Sequence, residues 1–253
     1  MTLSTIAATR QRAPELLAQT VVVIGGSSGI GLETARRAAT EGADVIVTGR
    51  DPERLRNAAQ ELGTLDSAAF DAFDPAALER FFHGLPNPLD HVMVTAGCPY
   101  YMPLREMNLA QAVRHVDEHL MLILQVAREA IDRVRPGGSL LFVGSAGARR
   151  PRLGLAIAAT LTAAMPALIA TLALELAPVR VNLVAPGFVD TPLTASLLGD
   201  DLDKRRQQLR DTLPIGRVVG PADVAALAVH IMVNTALTGA TYDVDGGQQL
   251  VSG

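Results

Sequence analysis

The chain has 253 residues, 49% hydrophobic and 19% charged, which is material for one large domain rather than two small ones. Its formal net charge of −4 excludes the clustered basic surface that nucleic-acid binding requires. A single cysteine, Cys98, excludes an internal disulfide and suits a cytoplasmic setting.

The opening MTLSTIAATRQRAPELL has no continuous apolar run of the kind a secretory leader needs, and residues 1–17 are expected to form a loose extension. From Thr20 onward short β-branched runs follow one another: TVVVIGG, ADVIVTGR, SAAFDAFD, HVMVTAG, GSLLFVGS, VRVNLVAPG and ATYDVDGG. Several are apolar without alternation, as strands of a parallel sheet covered on both faces must be. Helical patterns begin between them, near Gly29, Pro52, Pro75, Glu106, Gly154, Asp201 and Pro221. This alternation predicts an α/β fold: a Rossmann-type, doubly wound, mostly parallel seven-stranded sheet with helices on both faces, as a single domain over residues 1–253.

One stretch, Leu153 to Leu174, contains no charge and would be about 33 Å long as a helix, enough to cross a bilayer. Its place between the fifth and sixth strands instead calls for a crossover helix, buried against the sheet and a partner subunit. Pro166 inside it removes a helical hydrogen bond, at a cost of about 3 kcal/mol unless a kink absorbs it.

The run VVVIGGSSGIG places Gly25, Gly29 and Gly31 after a strand and at the start of a helix. Glycines there permit a tight turn and close approach to a pyrophosphate, while the helix N-terminus offers unpaired N–H groups. A plain structural turn is the alternative; the strand before and the helix after point to dinucleotide binding.

This loop resembles the first-strand motif T-G-x-x-x-G-x-G of the short-chain dehydrogenase/reductase family, with Ile24 in the place of the threonine. VTAG, from Val94 to Gly97, resembles the family's N-N-A-G with Thr95 for the second Asn. NLVAPGFVDTP, LPIGRVVGPADVA and TGATYDVDGG are similar to later segments of the family, so the resemblance spans nearly the whole chain. Carried onto these motifs, it implies cofactor contacts from Gly25, Ser27, Ser28, Gly29, Ile30, Gly31, Ala96, Gly97, Pro186, Gly187, Val189 and Thr191. Asp71 resembles the adenine-contacting aspartate, with Asp74 read as a helix cap before Pro75. An ordinary turn threonine is the alternative for Thr191. The second strand ends at Gly49 rather than at an acidic residue, and Arg50 follows; a guanidinium there suits the 2′-phosphate of NADP, a solvated loop arginine being the alternative.

In this family a serine after the fifth strand precedes Y-x-x-x-K on the next helix, and an asparagine stands on the helix before. Ser145 matches the serine. Counting back from Glu175, which matches a family glutamate, puts Thr162 at the lysine and Ala158 at the tyrosine, and HVDEHL puts His119 at the asparagine. Ser145 and His119 are therefore the catalytic candidates, with a phenol from Tyr100 or Tyr101 as a substitute donor or as simple core cover. His115 and His119 share a helix face, but no third ligand is apparent and no metal is expected. Arg149, Arg150 and Arg152 read as a solvated surface run. The expected function is a divergent NADP(H)-dependent oxidoreductase of a small carbonyl or alcohol. The alternatives are a silent NADP-binding scaffold or redox sensor, and a non-redox lyase or cyclase. Expected partners are a small-molecule substrate and further copies of the chain, as a homodimer or homotetramer, with neither nucleic acid nor membrane.

Overall fold

The computed structural model describes residues 13–251. Seven strands carry the fold: β1 (Thr20–Ile24), β2 (Asp44–Gly49), β3 (Asp66–Ala69), β4 (Leu89–Val94), β5 (Val134–Val143), β6 (Arg180–Pro186) and β7 (Thr241–Val244). The helices are α1 (Gly29–Thr40), α2 (Pro52–Leu62), α3 (Pro75–Gly84), α4 (Leu109–Ala130), α5 (Ala156–Glu175), α6 (Pro192–Leu198), α7 (Leu202–Thr212) and α8 (Pro221–Val233). The strands form one sheet in the order β3-β2-β1-β4-β5-β6-β7. Every adjacent pair is parallel, so the expected doubly wound sheet is parallel throughout. The order reverses between β1 and β4, and such a reversal opens a crevice beyond the carboxyl ends of the strands, where ligands of open α/β sheets bind.

Successive strand residues feed opposite faces, which is why helices cover both. Val22, Ile24, Val92, Val94, Leu140 and Phe142 pack against Leu78 and Phe82 of α3, Val126 of α4 and Ile169 and Leu172 of α5. Their neighbours Val21, Val23, Val45, Val47 and Met93 pack against Ala35 and Ala38 of α1, Leu55 of α2 and Val224 and Ala228 of α8. Each large apolar side chain buried in this way contributes roughly 1.5–3 kcal/mol, so both layers are held by the same pattern. Helix starts are set locally. Asp51 and Asp74 each accept two first-turn N–H groups just ahead of a proline, and capping is thus the role of Asp74.

Three expectations are corrected. The helix placed near Glu106 starts three residues later, because Asn108 supplies the cap and Glu106 closes a turn on Pro103. α6 was not expected; it is seven residues long, too short for apolar periodicity, and it starts on a Thr191–Thr194 capping box. The extension expected over residues 1–17 is packed at its end, where Leu16 is fully buried and bonds through its N–H to Glu41; residues 1–12 lie outside the described residues. In the single chain α5 buries one stripe and leaves its other face open. Ala158, Thr162, Met165, Ile169 and Leu172 face inward, while Ala163, Ala164, Ala167 and Ala170 are exposed and Leu174 is 82% exposed. α5 is long and apolar enough to cross a membrane, but it occupies the β5–β6 crossover and runs through Pro166 as one helix.

Candidate functional site

The turn after β1 is pinned from both flanks. Thr48 of β2 accepts the Gly25 N–H through Oγ1 at 3.3 Å and the Gly26 N–H through its carbonyl at 2.9 Å. On the β4 side, Thr95 donates its hydroxyl to the Gly25 carbonyl at 3.0 Å, and its N–H reaches the Ile24 carbonyl at 2.8 Å. A short hydroxyl thus clasps the turn where the family pattern has an amide. The chain can pass only as glycine: Gly25 adopts φ +94°, and a Cβ on Gly31 would lie 2.3 Å from the Gly25 carbonyl oxygen. Helix α1 consequently starts hard against the turn. Its cap residue Ser28 makes no side-chain cap bond, so the first-turn N–H groups are not covered from within. A concave backbone cradle ahead of an uncapped helix fits a diphosphate.

At the end of β2 the fit is equally specific. A Cβ on Gly49 would lie 2.6 Å from Ser27 Oγ, so an acidic side chain cannot stand there while Ser27 keeps its place. Arg50 is exposed beside it and has no ion-pair partner among the described residues. Asp71 lies exposed in the β3–α3 turn and accepts the Phe73 N–H at 3.1 Å. Ala96 abuts Gly25, its N 2.8 Å from the position of a Gly25 Cβ.

The far wall comes from the end of β6. Pro186 is the last residue of the strand, and Gly187 sits so close to Gln248 that a Cβ would be 2.6 Å from Oε1. The same Oε1 accepts the Phe188 N–H at 2.9 Å. Val189 is buried and bridges to Val219. Thr191 caps α6, and its Cβ lies 3.5 Å from where a Gly29 Cβ would be, so the helix cap and the glycine turn face each other. Its two readings, turn threonine and site residue, thus coincide in place. Neither Thr48 nor Gln248 was singled out in the sequence. A threonine ending an apolar strand was the available signal for the first; the second has none, since it depends on the C-terminal segment folding back.

Ser145, half-buried after β5, accepts the Gly147 N–H through Oγ at 3.1 Å. α5 holds neither tyrosine nor lysine; Ala158 and Thr162 are buried on its inner stripe. A cavity of about 430 Å³ opens between the turn Gly147–Arg149 and α5, lined by Arg149, Pro151, Ala159, Thr162 and Pro166 among others. Of the three arginines expected to form a solvated run, Arg152 is exposed as expected, while Arg149 and Arg150 are tied down. Arg149 forms a bidentate pair with Asp243, which raises its pKa, and Arg150 donates to the Gln249 and Val251 carbonyls. Both tie the loop that carries Ser145 to the C-terminal segment.

His119 joins the site from α4. Its Nδ1 lies 2.8 Å from the His115 carbonyl, which can only accept, so Nδ1 carries the proton and Nε2 is free. That Nε2 would be 2.9 Å from a Cβ on Gly97, directly after the β4 strand end. The His115 and His119 rings meet at a tilt of 41° with centroids 4.1 Å apart, and Tyr100 meets His115 at a tilt of 40° and 5.6 Å. Burial, and then the neighbouring His119, push the His115 pKa down to about 4. The paired rings are not splayed around a shared ion, and no group of three metal-binding side chains occurs among the described residues. No hydrogen bond joins Ser145 to His119 among the described residues. Tyr101 is about half exposed, and Cys98 is exposed in the same loop.

The reversal between β1 and β4, with a pinched glycine turn on one lip, defines a Rossmann-type protein of the class built around a dinucleotide. Residues 24–249 match the family described as enoyl-(acyl carrier protein) reductase. The 3beta-hydroxysteroid dehydrogenase 1 of Eggerthella lenta is 31% identical, over 94% of this chain and 97% of its own. The NADP-dependent (R)-specific alcohol dehydrogenase of Lentilactobacillus kefiri is 29% identical, over 92% and 97%. The solved structure of the MalC reductase/Diels-Alderase from Malbranchea aurantiaca superposes with a TM-score of 0.87 at 26% identity, covering 94% of this chain and 99% of that one. The chain belongs to the short-chain dehydrogenase/reductase family of oxidoreductases.

Proposed function

We propose that this chain is a divergent NADP(H)-dependent oxidoreductase acting on a small carbonyl or alcohol, with its proton chemistry moved off α5. The observation that carries the reading is the clasped turn after β1, whose glycines and uncapped helix start suit a diphosphate. Gly49, closed to an acidic side chain by Ser27, and the unpaired Arg50 beside it favour a 2′-phosphate over a bare ribose. The NADP dependence of the Lentilactobacillus kefiri relative agrees. When bound, the nicotinamide supplies the hydride chemistry. Ser145 orients the substrate oxygen, and the side of the site that carries His119 handles the proton. The substrate enters from the side of the cavity beside α5, whose small residues leave it roomy and apolar.

A second reading has its own support. Ala158 and Thr162 leave the inner stripe of α5 without an acid or a cation, and the Malbranchea aurantiaca relative is a reductase/Diels-Alderase. Ring closure in a pocket of this shape needs no proton donor. NADPH consumption across a panel of ketones, aldehydes and alcohols, with product analysis, separates the readings. Stoichiometric oxidation with alcohol formed supports the first; isomerised product without oxidation supports the second; NADPH binding without either leaves a silent scaffold.

The assembly follows from exposed apolar faces. Leu109, Val113, Met121 and Leu124 of α4 and the alanine face of α5 are solvent-facing in one chain. A second copy across a two-fold axis covers them, giving a dimer or tetramer that is soluble and cytoplasmic.

A further inference from the structure

The loop between β4 and α4 is fixed at two points. At one end Gly97 rests on His119; at the other, the Met102 N–H bonds the Gly154 carbonyl at 2.9 Å, just ahead of α5. Tyr100 lies between these anchors, its ring against His115 of α4 with centroids 5.6 Å apart. Its hydroxyl is buried and has no hydrogen-bond partner among the described residues. A buried O–H without an acceptor is costly and needs a reason, and the ordinary reason at a ligand site is an acceptor that arrives with the ligand. Behind the phenol stand the paired rings of His115 and His119, and burial keeps His115 neutral at ordinary pH.

We propose that Tyr100 is the proton donor of this site, its phenol ring held by His115 of the His115–His119 pair. The inference rests on the oxidoreductase reading above. In reduction of a ketone, the carbonyl carbon gains a hydride, two electrons with one hydrogen, from reduced nicotinamide. The C=O π pair moves to oxygen, the Tyr100 O–H bond breaks, and its proton completes the alcohol. The phenolate left behind regains a proton from solvent once the alcohol has left. Tyr100 is the catalytic residue in this scheme. His115 is a positioning residue, holding the phenol ring through their contact.

The test is Tyr100→Phe in the full chain, with cyclohexanone as the probe ketone. Because the lost hydroxyl has no partner, Tm is expected to hold or rise, which sets this apart from a structural role. NADPH affinity should stay within about threefold, while kcat for ketone reduction falls on the order of 100-fold or more. A second readout needs no turnover. Tyrosine labelled at Cζ gives three resonances, for Tyr100, Tyr101 and Tyr242. The one missing in Tyr100→Phe should shift when NADP⁺ and cyclohexanone are added together, and the shift should shrink in His115→Leu. Wild-type kcat in Tyr100→Phe, or a Tyr100 resonance unmoved in the ternary mixture, overturns the assignment of Tyr100 while leaving the oxidoreductase reading intact. A wild-type chain that binds no nicotinamide dinucleotide removes that reading, and this inference with it.

Discussion

Gly31 shows how a single hydrogen can decide a binding site. In its place a methyl group would meet the Gly25 carbonyl at 2.3 Å and the Thr95 hydroxyl at 2.6 Å, so α1 would have to move off the turn it presents to the diphosphate. Gly31→Ala should weaken NADPH at least tenfold and lower Tm, read by titration and thermal melting. Arg50 acts in the opposite way, adding a charge rather than avoiding a clash. A hydrogen bond to a charged group is worth about 1.5–3 kcal/mol, and each 1.4 kcal/mol is tenfold, so Arg50→Ala should cost NADPH roughly 10- to 100-fold and leave NADH unchanged. His91 governs stability instead. It is buried between Ser139 Oγ and Gln19 Oε1, each 2.8 Å away, and burial followed by the positive Arg180 pushes its pKa from 6.5 to about 3. The folded value lies below the unfolded one, so below pH 6.5 the unfolded chain binds the proton first. The stability tied to neutral His91 is complete above that pH and is lost as pH falls toward 3. The fall in Tm between pH 7 and pH 4.5 should be smaller in His91→Gln than in the wild type.

Among the elements, α5 departs furthest from the family pattern. Its inner stripe holds Ala158 and Thr162 in the positions that the resemblance gives to tyrosine and lysine, and Pro166 has no N–H to offer the Thr162 carbonyl. The helix survives because Ile169, Leu172 and Met165 dock it into the core under β5 and β6. Its outer alanines allow close approach of a second helix, and the exposed Leu124 of α4 and Leu174 of α5 add apolar area to the same side of the protein. Leu124→Arg with Ala167→Arg should convert the assembly to monomers in light scattering without loss of secondary structure. A wild-type protein that is already monomeric at high concentration would contradict the proposed interface.

For the molecule as a whole, legibility followed distance along the chain. The strands β1, β2, β4 and β6 and the helices α1, α2, α3 and α8 are written in local pattern: β-branched runs, a glycine turn, and Asp-Pro or Gly-Pro starts. Their order made the sheet predictable, because parallel crossovers admit one hand. α6 escaped for want of length. The contacts that shape the site could not be read, since they join remote segments. Arg149 and Arg150 reach residues near the C-terminus, Gln248 closes on Gly187, and Tyr100 meets His115 only because its loop folds back along α4. The sequence told which groups α5 lacks. Three-dimensional placement told which rings stand nearby instead.

The turn between β1 and α1 is built to hold a phosphorylated dinucleotide. Calorimetric titration of the full chain with NADPH and NADH tests it most directly. One NADPH per chain with micromolar affinity, and NADH at least tenfold weaker, is the predicted result. Folded protein that binds neither at millimolar concentration, or that prefers NADH, would contradict it.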